Sequence, residues 1–163
     1  MNVLWFPIPE KARYFSFFFS NSFIFSGNGE NTENIKNCIL NIDPNINIYE
    51  AKYIPLNINE FEKKEKYLAF SGIGNHKTFI SMLKINGLNI VKDLEFPDHY
   101  DYLKNDIEKI KNVSKELNCN IITTEKDFIR LDTNRVNEIK YIKTELKIIN
   151  EEKFFKVISK LYE

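Results

Sequence analysis

The amino-acid sequence predicts an α/β fold, arranged as a three-layer α/β/α sandwich around a mostly parallel, Rossmann-like sheet. Short apolar segments of strand length alternate with amphipathic segments of helix length along the chain. A hydrophobic fraction of 43% and an aromatic fraction of 14% supply enough apolar surface for a buried core. The length of 163 residues suits one domain. We predict an irregular, hinge-like lead-in over 1–20 and a single α/β domain over 21–163.

The N-terminal part contains an aromatic run, "ARYFSFFFSNSFIFSG". Serines and an asparagine interrupt this run, which is shorter than the roughly 18 apolar residues expected of a membrane span. It predicts a buried strand or core-facing segment, with membrane contact as the alternative. A strand is expected over 22–25, a helix over 31–40 and a further strand over about 46–54.

The central part predicts a continuous apolar strand over 67–70 that breaks at Gly72 and Gly74. Asn75 is a good N-cap for the helix that follows. His76, in the first turn of this helix, is predicted to be solvated. The inward positions of the helix are Phe79, Met82 and Leu83.

The C-terminal half continues the alternation, with strands over 88–96, 120–123 and about 140–149. The helix that follows 88–96 has the clearest apolar stripe in the chain. Its members are Leu103, Ile107, Ile110, Val113 and Leu117. The inward face of the closing helix comprises Phe154, Ile158 and Leu161.

Charge and cysteine content narrow the function classes. Lysine plus arginine (23) equals aspartate plus glutamate (23), and this balance argues against a nucleic-acid binder with a general phosphate-attracting surface. Cys38 and Cys119 lie far apart and form no C-x-x-C pattern. They are predicted to be reduced, half-buried residues of a cytosolic protein.

Three polar clusters follow predicted strands at their carboxyl ends, where open parallel sheets gather ligands: "SGIGN", "PDHYDY" and "TTEKD". "SGIGN" is either a phosphate-binding turn at a helix N-terminus or a tight strand-to-helix turn. In "TTEKD", Thr124 is predicted to cap a helix while Glu125 and Asp127 complement its dipole. A charged surface that faces a partner or ligand is the alternative for this cluster.

His99 is the sharpest candidate for chemistry. It follows Asp98 in a turn that Pro97 fixes. An exposed imidazole at a strand end suits proton transfer or the support of a catalytic carboxylate, and a structural role in the turn is the alternative. The sequence shows no serine or cysteine nucleophile constellation and no second histidine at metal-ligand spacing. This argues against hydrolase and zinc sites.

Residues 69–131 resemble the C-terminal half of the tetraacyldisaccharide 4'-kinase (lipid A 4'-kinase) family. Three motifs carry the resemblance in order and in spacing: "AFSGIGN", "FPDHYDY" and "TTEKDFIRL". The family usually has proline where this chain has His76, and it often has a second histidine where this chain has Tyr100. The aromatic N-terminal segment matches the family more weakly.

The resemblance implies the C-terminal lobe of a kinase that moves the γ-phosphate of ATP to the 4'-hydroxyl of a tetraacyl disaccharide 1-phosphate in lipid A biosynthesis. It implies that His99 faces an interlobe cleft as the supporting partner of a catalytic carboxylate in the other lobe. It implies no metal ligand in this chain. The residues implied to border the same cleft are Asp98, Gly72, Gly74, Asn75, Thr124, Glu125, Lys126 and Asp127.

The resemblance also implies cofactors, partners and location. The full kinase uses ATP and Mg²⁺, but the family's P-loop, its magnesium-binding acidic residues and its membrane-inserting helix precede the matched region. The chain alone is therefore expected to be inactive and to bind neither cofactor tightly. The expected partners are a P-loop N-terminal lobe, in the same or a separate chain, and the lipid A disaccharide precursor, but not nucleic acid. The expected location is cytoplasmic and peripheral to the inner membrane.

Two other interpretations stand beside this one. The first is a truncated, non-catalytic binding or interaction module derived from the same lobe. The second is a stand-alone receiver-like or phosphatase domain, which would need an acidic cluster or a D-x-D motif after an early strand. The sequence has neither feature in those places.

Overall fold

A computed structural model gives the arrangement of helices and strands in most of the chain. The described residues are 18–19, 22–26, 32–131 and 136–159. In chain order the elements are β1 (Phe18–Phe19), β2 (Ser22–Ser26), α1 (Thr32–Ile42), β3 (Asn47–Pro55), β4 (Lys66–Ser71), α2 (His76–Ile85), β5 (Asn89–Glu95), α3 (Lys104–Glu116), β6 (Asn120–Thr124), α4 (Glu125–Ile129), β7 (Ile139–Ile142), β8 (Thr144–Ile148) and α5 (Glu151–Ser159). A short 3₁₀ turn, Ile58–Glu60, precedes β4.

The chain forms two compact units. The first comprises Met1–Lys52 and Leu146–Glu163, and the second comprises Tyr53–Glu145. The two units show which residues pack together, not whether each unit folds on its own. One domain over 21–163 therefore stays a prediction.

The first unit contains a sheet with the strand order β1-β2-β3-β8. β1 pairs with β2 in antiparallel fashion, and β2 pairs with β3 in parallel fashion. Tyr49 of β3 is buried and packs edge-on against Phe154 of α5, with ring centroids 5.2 Å apart. On α1, Lys36 forms ion pairs with Glu33 and with Glu50 of β3. These contacts hold α5 and α1 against the sheet of this unit.

The second unit contains a four-stranded parallel sheet with the order β5-β4-β6-β7. From β4 the chain passes through α2 to β5 on one side. It then returns through α3 to β6 on the other side of β4. The strand order therefore reverses between β4 and β6, and an open α/β sheet has its ligand crevice at such a reversal.

Alternating side chains of the central strand β4 place a core on each face of this sheet. Tyr67 and Ala69 are buried in one cluster with α2 residues such as Leu83. Leu68 and Phe70 are buried in the other cluster with Ile107 and other residues of α3. Helices cover both faces, so this unit has three layers, and the predicted α/β fold is confirmed.

Most predicted elements occur close to their expected positions, and the exceptions have local causes. The predicted last strand is two strands, β7 and β8, because Lys143 leaves the first pairing and donates its backbone N–H to the Asn57 side chain over 2.9 Å. Cys38 was predicted to be half-buried but is exposed, while Cys119 is half-buried as predicted. The stripe of α3 is buried only in its middle, since Leu103 and Leu117 at its ends are exposed.

Two predictions fall largely outside the described residues. Most of the aromatic run and of the lead-in over 1–20 lies outside them, as does Leu161 of the closing helix. The predicted strand over 22–25 corresponds to β2.

The inward face of α2 can be tested by truncating one side chain. Leu83 is fully buried in the core, and we expect Leu83→Ala to lower the free energy of unfolding by about 2–5 kcal/mol through lost burial and a cavity. Ile85, on the same helix, is 71% exposed, so Ile85→Ala should change it by no more than about 0.5 kcal/mol. Urea unfolding of both variants measures the difference. Equal losses would contradict the assigned face of α2.

Candidate functional site

The carboxyl ends of β4, β5 and β6 lie side by side, and the three predicted polar clusters meet there. The turn after β5 lies on the end of β4, where Phe96 N donates to Ser71 O over 2.9 Å and His99 N donates to Gly72 O over 3.0 Å. The first turn of α4, which directly follows β6, reaches the same place, since Gly72 N donates to Asp127 Oδ2 over 3.1 Å. The sequence correctly predicted that these clusters would share one edge of the sheet.

The carboxylate of Asp127 is fully buried at the centre of these contacts. Its Oδ2 accepts from Gly72 N–H and from the Thr124 hydroxyl, which lies 2.6 Å away. Thr124 in turn accepts from Asp127 N and caps α4, as predicted. Asp127 Oδ1 lies 3.6 Å from Arg130 Nη1, whose positive charge compensates the buried negative charge. Without such partners a buried carboxylate would cost several kcal/mol.

Gly72 has no room for a side chain. A Cβ built there would lie 3.0 Å from Pro97 O, 3.0 Å from the Tyr102 hydroxyl and 3.2 Å from Tyr100 Cβ. Any other residue would push the turn after β5 away from the end of β4. The N–H of Gly72 already donates to the Asp127 carboxylate, so it is not available to a bound phosphate. These contacts favour the tight-turn interpretation of "SGIGN" over the phosphate-binding one.

His99 stands on this turn with its side chain 68% exposed. Its backbone has a φ of 60°, a left-handed conformation that is uncommon for residues other than glycine. Its Nδ1 lies 2.9 Å from Arg130 Nη2. Its Nε2 lies 3.9 Å from Asp98 Oδ1, which is too long for a hydrogen bond. The imidazole is thus held at one nitrogen only within the described residues.

Aromatic rings support the turn that carries His99. Four of them pack with centroids 5.0 to 6.3 Å apart, namely Phe70, Phe96, Tyr100 and Tyr102. The Tyr100 hydroxyl donates to Asp106 Oδ2 over 3.0 Å, and this hydrogen bond raises the pKa of Tyr100. The same oxygen accepts from Leu103 N at the start of α3. The turn is therefore fastened to both β4 and α3.

Tyr102 lies under the turn as a neutral phenol. Burial, and then the negative charge of Asp127, raise the pKa of Tyr102 well above its ordinary value. Its hydroxyl is buried and has no hydrogen-bond partner among the residues that the structure describes. Ionisation of this phenol would place a second negative charge beside Asp127.

The prediction that His76 is solvated was wrong. The side chain is 2% exposed, with Nδ1 2.7 Å from Ser71 Oγ and Nε2 3.1 Å from Asp93 Oδ2. The order Ser-His-Asp resembles a hydrolase triad, but the Ser71 hydroxyl is fully buried and no substrate can reach it. The cluster joins the start of α2 to β4 and β5. Beside it, Asn75 caps α2 as predicted and accepts from Thr78 N over 3.2 Å.

The remaining predicted residues lie at the margin of these contacts. Gly74 is half-buried in the turn before α2, and Asp98 is exposed next to His99. Glu125 is half-buried and Lys126 is exposed, and neither forms a hydrogen bond or ion pair with another described residue. The structure thus joins Gly72, Thr124, Asp127 and His99 into one network. The other five predicted residues lie outside it, and of these Asn75 caps α2.

Sequence reasoning missed Arg130 as a member of the site. It is 31 residues from His99, and no local pattern indicates that the two side chains meet. The available signal was its spacing of three residues from Asp127, which places the two on one side of a helical turn.

Neither a metal site nor a membrane span is found in the described ranges. Across 18–19, 22–26, 32–131 and 136–159, no three His, Cys, Asp or Glu residues lie close enough to hold a metal ion. Of the helices in these ranges, none has both the length and the apolar character to cross a bilayer.

Comparison with known proteins gives a consistent family. A family model described as Tetraacyldisaccharide-1-P 4'-kinase matches residues 21–163. The Tetraacyldisaccharide 4'-kinase of Pelagibacter ubique (strain HTCC1062) is 52% identical over 145 residues, which is 89% of this chain and 46% of that protein. The protein of the same name in Rickettsia akari (strain Hartford) is 43% identical over 121 residues, which is 71% of this chain and 36% of that protein.

The chain therefore spans about half or less of the length of these curated relatives. A solved structure, an "apo" form of LpxK from Aquifex aeolicus in complex with ATP, aligns over 76% of this chain and 41% of its own chain. The two are 25% identical, with a TM-score of 0.42.

Removing the buried carboxylate tests its central place in the site. Asp127→Ala leaves two donors without their acceptor and Arg130 without its counter-charge, so the free energy of unfolding should fall by about 3–5 kcal/mol. Glu125→Ala, on the same helix, should change it by less than about 1 kcal/mol. Urea unfolding followed by circular dichroism compares the two. A similar small effect for both would show that the buried contacts of Asp127 are not essential.

The raised pKa of Tyr102 predicts a loss of stability at high pH. Unfolding lowers this pKa towards 10.0, so the unfolded chain releases a proton that the folded chain keeps. Stability is full below about pH 10 and decreases above it. Tyr102→Phe should therefore lose less free energy of unfolding between about pH 8 and about pH 11 than the unchanged chain does. Tyr53→Phe, at an exposed tyrosine, is the control and should keep the original slope.

Proposed function

Because the chain belongs to the Tetraacyldisaccharide-1-P 4'-kinase family, we propose that it is the C-terminal part of a lipid A 4'-kinase. The complete enzyme transfers the γ-phosphate of ATP to the 4'-hydroxyl of a tetraacyl disaccharide 1-phosphate. One observation carries the proposal for this chain. Three family motifs that are separate in sequence come together at one edge of a parallel sheet, with an exposed histidine among them.

In this proposal His99 supports a carboxylate that belongs to the other lobe of the enzyme. Phosphoryl transfer depends mainly on positioning and on charge stabilisation, so a lobe that adds one oriented side chain by closing over the cleft makes chemical sense. The packing of the turn that carries His99 supports this role. The backbone of the turn is hydrogen-bonded to Gly72, and its aromatic rings pack against the core. Gly72, Thr124 and Asp127 then act by holding the edge of the cleft in shape.

The cofactors of the reaction belong, in this proposal, to the P-loop lobe. Two observations support this assignment of Mg²⁺ and the triphosphate: the described residues include no cluster of metal-binding side chains, and the N–H of Gly72 is already engaged by Asp127. We assign no step of the reaction through either group to this chain. The proposal is that the chain alone binds neither ATP nor Mg²⁺ tightly.

The proposed partners are a P-loop lobe, in the same chain or a separate one, and the lipid A disaccharide precursor. The proposed location is the cytoplasmic side of the inner membrane, where the family's acylated substrate lies. A non-catalytic binding module is the competing outcome of the experiment below.

A chimaera tests the function directly. This chain would replace the matching part of the Pelagibacter ubique protein, with which it shares 52% identity over 145 residues. We expect the chimaera, but not the chain alone, to phosphorylate the tetraacyl disaccharide 1-phosphate with ATP. In the chimaera, His99→Ala should lower kcat by about 100-fold or more, since it removes a group acting on the catalytic carboxylate. Lys109→Ala, on the exposed side of α3, is the surface control.

Two outcomes separate the claims. A folded but inactive chimaera, made beside an active parent enzyme, would overturn the kinase proposal and leave a non-catalytic module. An active chimaera that tolerates His99→Ala would keep the kinase and remove His99 from its mechanism.

A further inference from the structure

We propose that Arg130 is a positioning residue that fixes His99 in the tautomer with its proton on Nε2, so that His99 offers an N–H donor to the cleft. This inference concerns the same site as the proposed function, and its catalytic consequence rests on that function. The tautomer itself is a property of this chain and can be measured without any kinase activity.

The guanidinium group of Arg130 has five N–H donors and no acceptor. Arg130 Nη2 lies 2.9 Å from His99 Nδ1, so Nδ1 must be the acceptor of that hydrogen bond. A neutral imidazole has one proton, and an accepting Nδ1 leaves that proton on Nε2. The contact between these two side chains therefore selects one tautomer.

The selected N–H remains available to a partner. Asp98 Oδ1 is the acidic oxygen next to the ring, and at 3.9 Å from Nε2 it does not accept a hydrogen bond. The ring is 68% exposed, so Nε2–H is accessible from solvent. A group that meets it must supply an acceptor oxygen, such as a carboxylate.

Arg130 can act in this way because it is itself held in place. Its side chain is 21% exposed, and Nη1 lies 3.6 Å from the buried Oδ1 of Asp127. Nη1 thus forms an ion pair with Asp127 at a distance too long for a hydrogen bond, while Nη2 is hydrogen-bonded to His99. A lysine has a single ammonium nitrogen and cannot occupy both positions. Asp127 is fixed in turn by Gly72 and Thr124 at the ends of two strands.

The consequence for the proposed reaction is a division of roles. His99 with Nε2–H donates to the carboxylate of the other lobe and orients it, and it does not accept a proton from that group. The carboxylate keeps its second oxygen for the substrate hydroxyl. Arg130 touches neither the substrate nor the carboxylate and acts only through His99.

Nitrogen-15 NMR of the histidine side chains in the 163-residue chain measures the tautomer. The chain has only two histidines, and a His99→Ala spectrum assigns them. At about pH 9, above the unperturbed imidazole pKa, both tautomers of a neutral ring can be distinguished. We expect the Nε2–H form of His99 to dominate in the unchanged chain.

Two variants of Arg130 differ in whether the new side chain can accept a hydrogen bond from the His99 ring. Lysine is a donor only, whereas the glutamine amide can donate to Nδ1 or accept from Nδ1–H. Arg130→Gln should lower the ratio of the Nε2–H to the Nδ1–H form by about tenfold, and Arg130→Lys should lower it less. The His76 signals, from a ring bonded to Ser71 and Asp93, should not move and so report an intact fold.

Several results would overturn the inference. An unchanged ratio in Arg130→Gln would do so, as would a shift in Asp98→Asn that matched or exceeded the shift in Arg130→Gln. If the chimaera is active, Arg130→Gln should lower kcat about tenfold with the KM for ATP unchanged, and Arg130→Lys should recover part of the loss. A confirmed tautomer with an inactive chimaera would leave this inference standing and reject the proposed function.

Discussion

The site depends on one buried carboxylate, that of Asp127, at the point where the strand order of the parallel sheet reverses. β4 and β6 continue there into different connections, the turn before α2 and helix α4. Asp127 joins the two strand ends, because Oδ2 accepts from Gly72 N–H on one side and from the Thr124 hydroxyl on the other. Arg130 compensates the buried negative charge of Asp127 through Nη1. Its other terminal nitrogen, Nη2, lies within hydrogen-bond distance of His99. A structural demand of the sheet thus determines the surroundings of the exposed imidazole.

The turn that carries His99 has that residue in a left-handed backbone conformation. A left-handed histidine costs of the order of 1–3 kcal/mol, and it persists only where surrounding contacts over-determine it. Those contacts are the hydrogen bond to Gly72 O, the packed aromatic rings below and the bond from Arg130. Gly72 is necessary to them, because a Cβ there would occupy the space of the turn. Strain on an exposed residue, maintained by buried groups, is typical of functional positions.

The local parts of this arrangement were predictable from sequence, and the long-range parts were not. Asn75 and Thr124 cap the helices as their positions predict, since a cap involves residues three apart. The shared edge of the three motifs followed from parallel strands alone. The burial of His76 could not be predicted in this way, because it depends on contacts with Ser71 and Asp93. These two residues lie on β4 and β5, which become neighbours only in the folded sheet. The contact between Arg130 and His99 could not be predicted from the sequence for the same reason.

The two histidines show why residue type alone does not assign a function. Both ring nitrogens of His76 are engaged within the chain, one by Ser71 and the other by Asp93, so its hydrogen-bonding capacity is used up in joining a helix to two strands. His99 has one nitrogen engaged by Arg130 and the other exposed without a bonded partner among the described residues. A buried polar group must be satisfied internally, whereas a fixed and half-satisfied group at the surface is suited to complete its bonds with another molecule. The physical difference between the two rings is therefore the number of nitrogens left open, and on this criterion His99 is the one suited to a partner.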